Sequence, residues 1–355
     1  MSLVLSFPTN AELNAVVEAF VPDPAEFVGS TILPLTESMY QEVQWDERDR
    51  ERGLTAPHLL GADPRVDTRQ GSVRRSYTPI PFKESDLLKE DELLRARQLG
   101  TMAGTLDIAS EIARLARNRW VKTMNRIEKL RWDALAGQIT INEGGVSVSE
   151  SFAVQSYTSA TGWDTPTTAT PLADFDAVKL LFRGTGASAA GAKAYMNQST
   201  ANLLLENQNS GDIKGFQNAN FVQLPYAIDE LNKILVARGL PTIVVVDHGY
   251  IDGSNAYKNF IKDGDVIVVG QRPAAQTVGD VVSTPSLHKS KGGQPAPGYF
   301  SVIEVNGVPS EIAGSVSLGQ LGSGKNPKVE ITGGIYGGPR LVYPKSVVKM
   351  AVYEA

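Results

Sequence analysis

The sequence contains no cysteine and no long hydrophobic run. The absence of cysteine excludes disulfides, thiolate metal sites and cysteine nucleophiles, and it is typical of proteins assembled in a reducing cytoplasm. The longest apolar runs, TIVVV and VIVVG, have the length of strands and are too short to span a membrane. The first residues, MSLVLSFPTNAE, lack the basic start of a signal peptide. We therefore expect a soluble protein that is not exported through a signal peptide and has no membrane partner.

The sequence also lacks a large excess of charge of either sign. The 355 residues include 34 Lys and Arg against 39 Asp and Glu, for a net charge of −5. This balance excludes nucleic-acid binding through a broadly basic face, because such binding depends on an excess of cations. With 42% hydrophobic and 21% charged residues, the composition is that of a globular protein with room for about two domains.

Histidine, the commonest catalytic and metal-binding side chain, occurs only three times. His58, His248 and His288 stand in unlike contexts without a second ligand at metal spacing, so no metal site is predicted. Asp247 and His248 follow the apolar run TIVVV, and catalytic residues often lie at strand ends. The chain has no G-x-S-x-G motif and no cysteine nucleophile, so a turn is the preferred interpretation of this pair. We predict no catalytic residue, no cofactor and no enzyme activity.

The segment GQLGSGKNP has the G-x-x-x-x-G-K spacing of a phosphate-binding loop at Gly319, Gly324 and Lys325. A functional loop needs Ser or Thr after the lysine to hold magnesium, and a helix behind it to cradle the phosphates. Asn326 and Pro327 stand there instead, and the following KVEITGGIYGGPRLVYP has the pattern of strands and turns. We interpret the segment as a flexible surface loop. A nucleotide-binding enzyme stays as the alternative, testable by an ATP-binding assay.

The N-terminal part predicts a short helix and then a long hairpin. TNAELNAVVEAF, residues 9–20, carries a capping box at Thr9 and Glu12. Residues 46–76 contain seven arginines and six acidic residues with little apolar content, flanked by the strand-forming YQEVQW and SYTPIPF. Such a segment cannot bury itself, so we predict a projecting hairpin whose arginines pair with another copy of the chain. A disordered, solvated loop is the alternative.

A long helix is predicted between Leu87 and Ala136, with a break near Gly100 and Gly104. After the break, residues 105–137 contain no proline, and they place apolar residues at helical spacing on one stripe: Ala109, Ile112, Ala116, Trp120, Met124, Ile127 and Ala134. At 1.5 Å per residue this helix would be about 50 Å long. Because sustained heptads are absent, we expect it to lie across one face of a sheet rather than in a coiled coil. Trp120 and Trp132 are expected in the core.

The remainder predicts an α+β domain. QITIN and VSVSESFAV form strand signals around Gly144 and Gly145, and a Ser/Thr/Pro-rich connector anchored by Trp163 follows. Helix signals at 171–183, 199–207 and 225–238 then alternate with strand signals at AKAYM, TIVVVD and DVIVVG. KDGDVIVVG predicts a tight Asp-Gly turn before a buried strand. The final RLVYPKSVVKMAVYEA predicts a strand pair that needs a sheet elsewhere.

The order of these predicted elements resembles that of tailed-phage major capsid proteins of the Hong Kong 97-type fold. The elements are an N-terminal arm, a charged hairpin, a long helix, an α+β domain and a returning C-terminal strand. The closer resemblance is to the lambda-type major capsid protein E family. It is carried by YTPIPFKESDLL, LLRARQLGT, VYPKSVVKMAVYE and FVGSTILPLTESMYQEVQWDERDRERGLTAP, the last including Phe27, Pro34, Trp45, Asp46, Gly53 and Pro57.

The resemblance implies four parts of the chain. Residues 1–39 would be the N-terminal arm, 40–84 the E-loop, 85–165 with 338–355 the peripheral domain carrying the spine helix, and 166–337 the axial domain. The break at Gly100 and Gly104 and the Thr-rich connector could supply hinges. The residues expected to make inter-subunit contacts through the E-loop are Trp45, Arg48, Arg50, Arg52, Arg65, Arg69, Arg74 and Arg75.

The function implied is that of a major capsid protein, which self-assembles into hexamers and pentamers that form an icosahedral shell around phage double-stranded DNA. Its location would be the virion, after assembly in the host cytoplasm, with scaffolding, portal and decoration proteins as further partners and no sequence-specific DNA binding. An encapsulin-like compartment shell of the same fold is the alternative. Some phages of this fold weld their subunits by an isopeptide bond from an E-loop lysine. The first lysine here is Lys83, at the base of the hairpin.

Overall fold

The computed structural model describes residues 4–19, 25–47, 54, 57, 72–89, 92, 108–207, 228–273, 276–291, 294–309, 315–317 and 328–353. Two larger sheets and their helices enclose three clusters of buried apolar side chains, which confirms the predicted α+β class. No helix in these ranges is long and apolar enough to cross a bilayer. The helices are α1 (Asn10–Glu18), α2 (Gly29–Ile32), α3 (Ile108–Leu135), α4 (Pro171–Leu181), α5 (Gln198–Glu206) and α6 (Ile228–Arg238), with a short 3-10 turn at Pro344–Ser346.

A mixed sheet of five strands forms one half of the structure. In spatial order its strands are β10 (Thr242–Val245), β9 (Ser188–Met196), β13 (Asp265–Gln271), β21 (Val347–Ala351) and β8 (Gln155–Thr158). The two outer pairs are parallel and the inner pairs are antiparallel. The apolar faces of α4, α5 and α6 pack in one cluster with one face of this sheet. The opposite face packs in a second cluster with α3, and burial on both faces explains the continuous apolar run of β13.

The other half is a six-stranded sheet built around one long strand. Its strands are β18 (Val308–Pro309), β17 (Phe300–Val305), β20 (Lys328–Leu341), β14 (Gly279–Ser283), β2 (Leu35–Glu37) and β5 (Pro81–Lys89). The first part of β20 pairs with β17 on one side and β5 on the other. Its last part pairs with β14, and β2 lies parallel to β14 at the outer edge. The strand β20 therefore joins segments from distant parts of the sequence.

Five two-stranded sheets complete the strands of the described ranges. They pair β1 (Val4–Ser6) with β19 (Ser315–Ser317), β3 (Val43–Glu47) with β4 (Val73–Tyr77), β6 (Gln138–Glu143) with β7 (Val146–Ser151), β11 (Gly249–Ile251) with β12 (Tyr257–Asn259), and β15 (Ser286–Lys291) with β16 (Gln294–Ala296). The β3–β4 pair, called the ribbon below, is the one expected at the base of the charged hairpin.

The helix α3 lies across the six-stranded sheet, as predicted. Its 28 residues span about 42 Å, and it contacts β20 along its length. Ile112 and Ala116 are fully buried near the N-terminal helix, and Ile127 and Ala134 are buried at the other end. Ala109, at the start of the predicted stripe, is exposed. One continuous apolar stripe of α3 thus contributes side chains to two of the three buried clusters.

Three boundaries differ from the sequence predictions. Leu87 to Lys89 lie in β5 and not in a helix, because Leu88 pairs with Val329 of β20, a long-range contact that overrides local helix propensity. The ribbon pairs residues 43–47 with 73–77, so it extends farther toward the charged loop than predicted. Residues 81–82, expected in the ribbon, instead begin β5. Gly100 and Gly104 lie outside the described residues.

The C-terminal strands are present, but they do not pair with each other. Residues up to Leu341 belong to β20 in the six-stranded sheet, whereas Val347–Ala351 form β21 in the five-stranded sheet. The connection with its 3-10 turn therefore passes from one sheet to the other. The Asp-Gly turn before β13 is confirmed, with Gly264 at a φ of 80° that favours glycine. The helices of the α+β domain are also confirmed, with ends shifted by a few residues.

Candidate assembly surface

The ribbon presents a polar and partly charged face to solvent. Arg74 and Arg75 of β4 are exposed, as is Val73 with 57% of its surface accessible. Arg74 Nη2 donates to Gln44 Oε1 across the ribbon at 2.8 Å, and Arg75 Nε lies 3.5 Å from Glu47 Oε1. These two predicted assembly residues therefore have partners inside the ribbon. Both arginines are exposed, although Glu47 is partly buried, and pairs that involve exposed arginines contribute about 0–1 kcal/mol to stability, so they can be exchanged for others at low cost.

The root of the ribbon is packed into the subunit. Trp45, also a predicted assembly residue, lies between Tyr77, with ring centroids 6.0 Å apart, and Phe152, with centroids 6.2 Å apart. The Tyr77 hydroxyl donates to the backbone oxygen of Pro339 at 2.6 Å, and burial raises the pKa of this tyrosine well above its ordinary value. Trp45 Nε1 is buried and has no hydrogen-bond partner within the described residues. Trp45 thus anchors the base of the ribbon from inside.

A bidentate ion pair fixes the same root to the six-stranded sheet. Arg340 donates from Nε to Asp280 Oδ1 at 2.5 Å and from Nη2 to Asp280 Oδ2 at 2.9 Å. Its Nη1 donates to the backbone oxygen of Gln44, in the ribbon, at 3.0 Å. Thr36 of β2 donates its hydroxyl to the same aspartate at 2.7 Å. Bidentate arginine pairs are among the most directional contacts in proteins. They therefore fix the orientation of the first ribbon residues relative to the six-stranded sheet.

A second arginine fixes the strand that follows the ribbon. Arg119 of α3 donates to the carboxylates of Asp86 and Glu84, both in β5. The side-chain bond to Asp86 is the main cause of a raised pKa for Arg119. Because β5 is also paired with β20, it is held by a strand on one side and by the long helix above it. Arg340 and Arg119 thus fix the root of the ribbon and the strand that follows it.

The helix α1 begins with the predicted capping box. Thr9 N donates to Glu12 Oε2 at 2.8 Å, and Glu12 N donates to Thr9 Oγ1 at 3.2 Å. The Thr9 hydroxyl also donates to Glu12 Oε2, at 3.1 Å. The two bonds to Oε2, from the backbone and then the side chain of Thr9, favour the charged carboxylate, so they lower the pKa of Glu12. Both orphan donors at the start of α1 are therefore satisfied within the arm itself.

The helix α1 covers one edge of the six-stranded sheet. Ser301 N donates to Asn14 Oδ1 and Ile303 N donates to Asn10 Oδ1, each at 2.8 Å. Alternate residues of a strand direct their N–H groups to the same side, so two asparagines one helical turn apart satisfy the β17 edge opposite β20. Leu13, between them in sequence, is buried in the cluster shared with α3. The helix α1 is thus packed against its own subunit.

A buried ion pair holds the segment that contains α2. Glu128 of α3 has 0% exposure and accepts three hydrogen bonds, from Gly29 N at 2.6 Å, Trp132 Nε1 at 2.9 Å and Arg131 Nη1 at 3.0 Å. Arg131 Nε also donates to the backbone oxygen of Leu33 at 2.9 Å. A Cβ at Gly29 would lie 2.6 Å from Glu128 Oε1, so the contact requires glycine. Residues 29–33 are therefore bound to the long helix at both ends.

Comparison with known proteins identifies the family. A family model described as phage major capsid protein E matches residues 9–331, about nine-tenths of the chain. The chain belongs to this phage major capsid protein family. Among curated proteins, no significant match to this capsid protein was found.

Solved structures show the same fold at low sequence identity. The capsid protein is similar to a prophage capsid protein from Escherichia coli CFT073, with 14% identity, coverage of 99% and 100% of the two chains and a TM-score of 0.57. It is also similar to a phage-related protein from Bordetella bronchiseptica RB50, with 12% identity, coverage of 98% of each chain and a TM-score of 0.53. The capsid of a native GTA particle matches with 11% identity, coverage of 94% and 92% and a TM-score of 0.51.

These findings confirm the Hong Kong 97-type fold and the function of a phage capsid protein that forms a shell and resides in the virion. The family match favours this function over the encapsulin-like alternative. Asp247 and His248 lie in the connection between β10 and β11, where the Asp247 backbone oxygen accepts from the Tyr257 hydroxyl. The glycine-rich segment 319–327 lies outside the described residues.

The predicted assembly residues are only partly brought together. Trp45, Arg74 and Arg75 lie on the ribbon, and the other five lie outside the described residues: Arg48, Arg50, Arg52, Arg65 and Arg69. Sequence reasoning missed Arg340, Asp280 and Glu128, which fix the ribbon root and residues 29–33. No local pattern marks them, because the partners of Arg340 and Asp280 are far apart in sequence and the pair of Glu128 with Arg131 resembles an ordinary surface pair.

Proposed function

We propose that the protein assembles as hexamers and pentamers that close into an icosahedral shell around phage double-stranded DNA, with the ribbon as the base of an E-loop that contacts a neighbouring subunit. The proposal extends the shell-forming function of the family. The observation that carries it is the contrast between the fixed root of the ribbon and its exposed outer strand. At the root, Arg340 and Tyr77 bind backbone oxygens across elements, whereas four of the five residues of β4 are exposed.

The remaining parts of the proposal follow from the same assignment. Residues 1–39 act as the N-terminal arm, 40–84 as the E-loop, 85–165 with 338–355 as the peripheral domain and 166–337 as the axial domain. Assembly takes place in the host cytoplasm, and the chain acts as a structural component without catalysis. Scaffolding, portal and decoration proteins are the further partners that such a shell would use.

The arginines are the side chains that we assign to the contact between subunits. Arginine binds carboxylates through a planar fork and is favoured over lysine at interfaces. The Arg75 side chain is exposed and lies 3.5 Å from the partly buried Glu47 carboxylate, a long ion-pair distance that contributes little to the stability of the isolated subunit. A neighbouring carboxylate can therefore replace Glu47, or join it, when subunits meet.

Charge reversal of the ribbon tests this function. Arg74→Glu with Arg75→Glu is expected to leave the subunit folded by circular dichroism and to abolish shells in electron micrographs and in sedimentation. The matched control reverses two other exposed charges, Arg183→Glu and Lys233→Glu, and it should assemble. Reversal of the three loop arginines, Arg48, Arg50 and Arg52, should also block assembly.

A charge swap separates the ribbon's own stability from contact with a neighbour. Arg75→Glu combined with Glu47→Arg restores the pair within the ribbon but presents the opposite charges to another subunit. We expect assembly to stay blocked in this variant. Assembly restored by the swap would mean that Arg75 serves only its own ribbon, and the E-loop assignment would then be wrong.

A further inference from the structure

Asparagine side chains on two helices bind the backbone at one edge of each large sheet. The clearest case is Asn232 of α6, beside β10 at the edge of the five-stranded sheet. Its Oδ1 accepts from Ile243 N at 2.7 Å, and its Nδ2 donates to Ile243 O at 3.0 Å. In a sheet, these two backbone groups of a strand residue bind the neighbouring strand. The Asn232 amide takes the place of that strand, because it carries the same donor and acceptor as a peptide group.

The β17 edge of the six-stranded sheet is closed in a similar way. The residues of β17 whose backbone groups face away from β20 alternate along the strand. Ser301 N, at the first of these positions, donates to Asn14 of α1. Ile303 N, at the second, donates to Asn10 of the same helix. Val305, at the third, pairs with the short strand β18. Each of the three outward-facing residues therefore has a partner within the subunit.

The strands at these two edges have a composition that favours the addition of a further strand. The strand β10 with the residue after it reads TIVVV, and β17 reads FSVIEV. Both segments are rich in β-branched residues, contain no proline and carry at most one charge. Open edges of this kind pair readily with other chains, and many proteins protect them. A capsid protein meets many copies of itself, so an open edge would be exposed to identical edges at high local concentration.

We propose that Asn10, Asn14 and Asn232 close these two sheet edges against strand addition by a second copy of this chain. The closure restricts association to other surfaces, so that copies meet through shell contacts and not edge to edge. Asparagine suits this role because its amide binds backbone groups without bringing a charge to the strand. Leu13 and Leu231, each next to one of the asparagines, are buried, so both helices are anchored where the amides meet the strands.

Hydrogen exchange of the unassembled subunit measures the closure of β10 directly. Asn232→Leu keeps the helix, because leucine has a higher helix propensity than asparagine, but it removes both bonds to Ile243. The Ile243 amide should then exchange about 10-fold faster, as expected for the loss of one hydrogen bond. Asn232→Asp keeps an acceptor for Ile243 N, so it should change the rate less. Asn202→Leu is the matched control on α5, where the asparagine accepts from Gln198 and not from a strand, and it should leave Ile243 protected.

Capture of a strand peptide tests whether an uncovered edge accepts a second chain. The probe is a labelled peptide with the sequence of residues 242–247, TIVVVD, flanked by lysines for solubility. Asn232→Leu should bind it saturably, whereas the wild type should not. Leu231→Ala removes a buried side chain from the same helix, so it destabilises the subunit but keeps the amide, and while folded it should not bind. Asn10→Ala combined with Asn14→Ala provides the same test at β17, with the peptide FSVIEV.

Several results would overturn the proposal. An unchanged exchange rate of Ile243 in Asn232→Leu would show that the amide does not close β10, and peptide binding by the wild type would show that the edge is already open. Equal binding by Leu231→Ala would assign the effect to lost stability. Absence of binding at both edges would mean that the asparagines do not exclude a second chain, and the β17 variant decides alone if Asn232→Leu does not fold. None of these measurements involves the ribbon or a shell, so their failure is distinguishable from failure of the E-loop assignment.

Discussion

The substitution Glu128→Gln is expected to destabilise the subunit strongly although it changes only one atom of the side chain. The glutamine oxygen can still accept a bond from Gly29 N or Trp132 Nε1. Its amide group, however, is a donor and cannot replace the carboxylate oxygen that accepts from Arg131 Nη1. Arg131 is only 4% exposed, so the variant leaves a cation buried without its counter-charge.

The size of this effect follows from the burial. Removal of one partner of a buried ion pair costs about 3–5 kcal/mol, because the remaining charge stays away from water. Burial already lowers the pKa of Arg131, in opposition to the attraction of Glu128. The double variant Glu128→Gln with Arg131→Met removes the cation as well, so it should be less destabilised than Glu128→Gln alone. The free energy of unfolding of soluble subunits in urea, followed by tryptophan fluorescence, measures both.

The same helix offers a matched control. Glu111 and Arg114 are three residues apart, as Glu128 and Arg131 are, but their pair is largely solvated. Glu111→Gln should cost less than about 1 kcal/mol, which is the range of surface pairs. If Glu128→Gln and Glu111→Gln lowered the free energy of unfolding by similar small amounts, the buried pair would not have the role derived from its contacts.

Two other predictions concern covalent chemistry and pH. Particles boiled in detergent should run as a single band near the chain mass of 38.2 kDa. An isopeptide bond between subunits needs a lysine in the charged loop, but the first lysine, Lys83, lies in β5 beside Gly334. A ladder of multimers with a linked lysine between residues 40 and 84 would contradict this prediction. The pKa of His288 should lie below 6.5 in an NMR titration, because of burial and then the nearby Lys83 charge. A lowered histidine pKa means that the unfolded chain binds the proton more readily, so the contribution of His288 to stability is lost as pH falls below about 6.5. Lys83→Gln should raise this pKa, and an unchanged value would show that the charge is not felt at the ring.

The sequence predicted the elements that depend on local pattern. The capping box of Thr9 and Glu12, the stripe of α3 and the apolar run of β13 each express a period or a cap within a few residues, and the structure confirms them. Leu87 to Lys89 were wrongly predicted as helix because their conformation is decided by pairing with β20, more than 200 residues later.

The residues of the candidate assembly surface also fall into two groups, those that local sequence predicts and those that depend on long-range contacts. The pairing of the strands that flank the charged segment could be predicted from their strand-forming residues, and the structure confirms it for residues 43–47 and 73–77, whereas most of the charged loop lies outside the described residues. The anchors at the root of the ribbon could not, since Arg340 meets Asp280 and the Gln44 backbone only after three strands have come together. The two Glu-Arg pairs of α3 show most clearly the limit of prediction from sequence. Their spacing is identical in sequence, and only the tertiary structure places one pair in solvent and the other in the core.

The position of β21 constrains how the subunit can fold during synthesis. This strand lies between β13 and β8, and it is the only link between them among the strands of the described residues. The five-stranded sheet therefore lacks an inner strand until residue 351 has been made, although β8 is complete almost 200 residues earlier. Pairings over such separations form slowly, because a long loop must close before any contact is gained. A nascent chain that ends before β21 therefore cannot complete the five-stranded sheet, because β8 then has no neighbouring strand in that sheet.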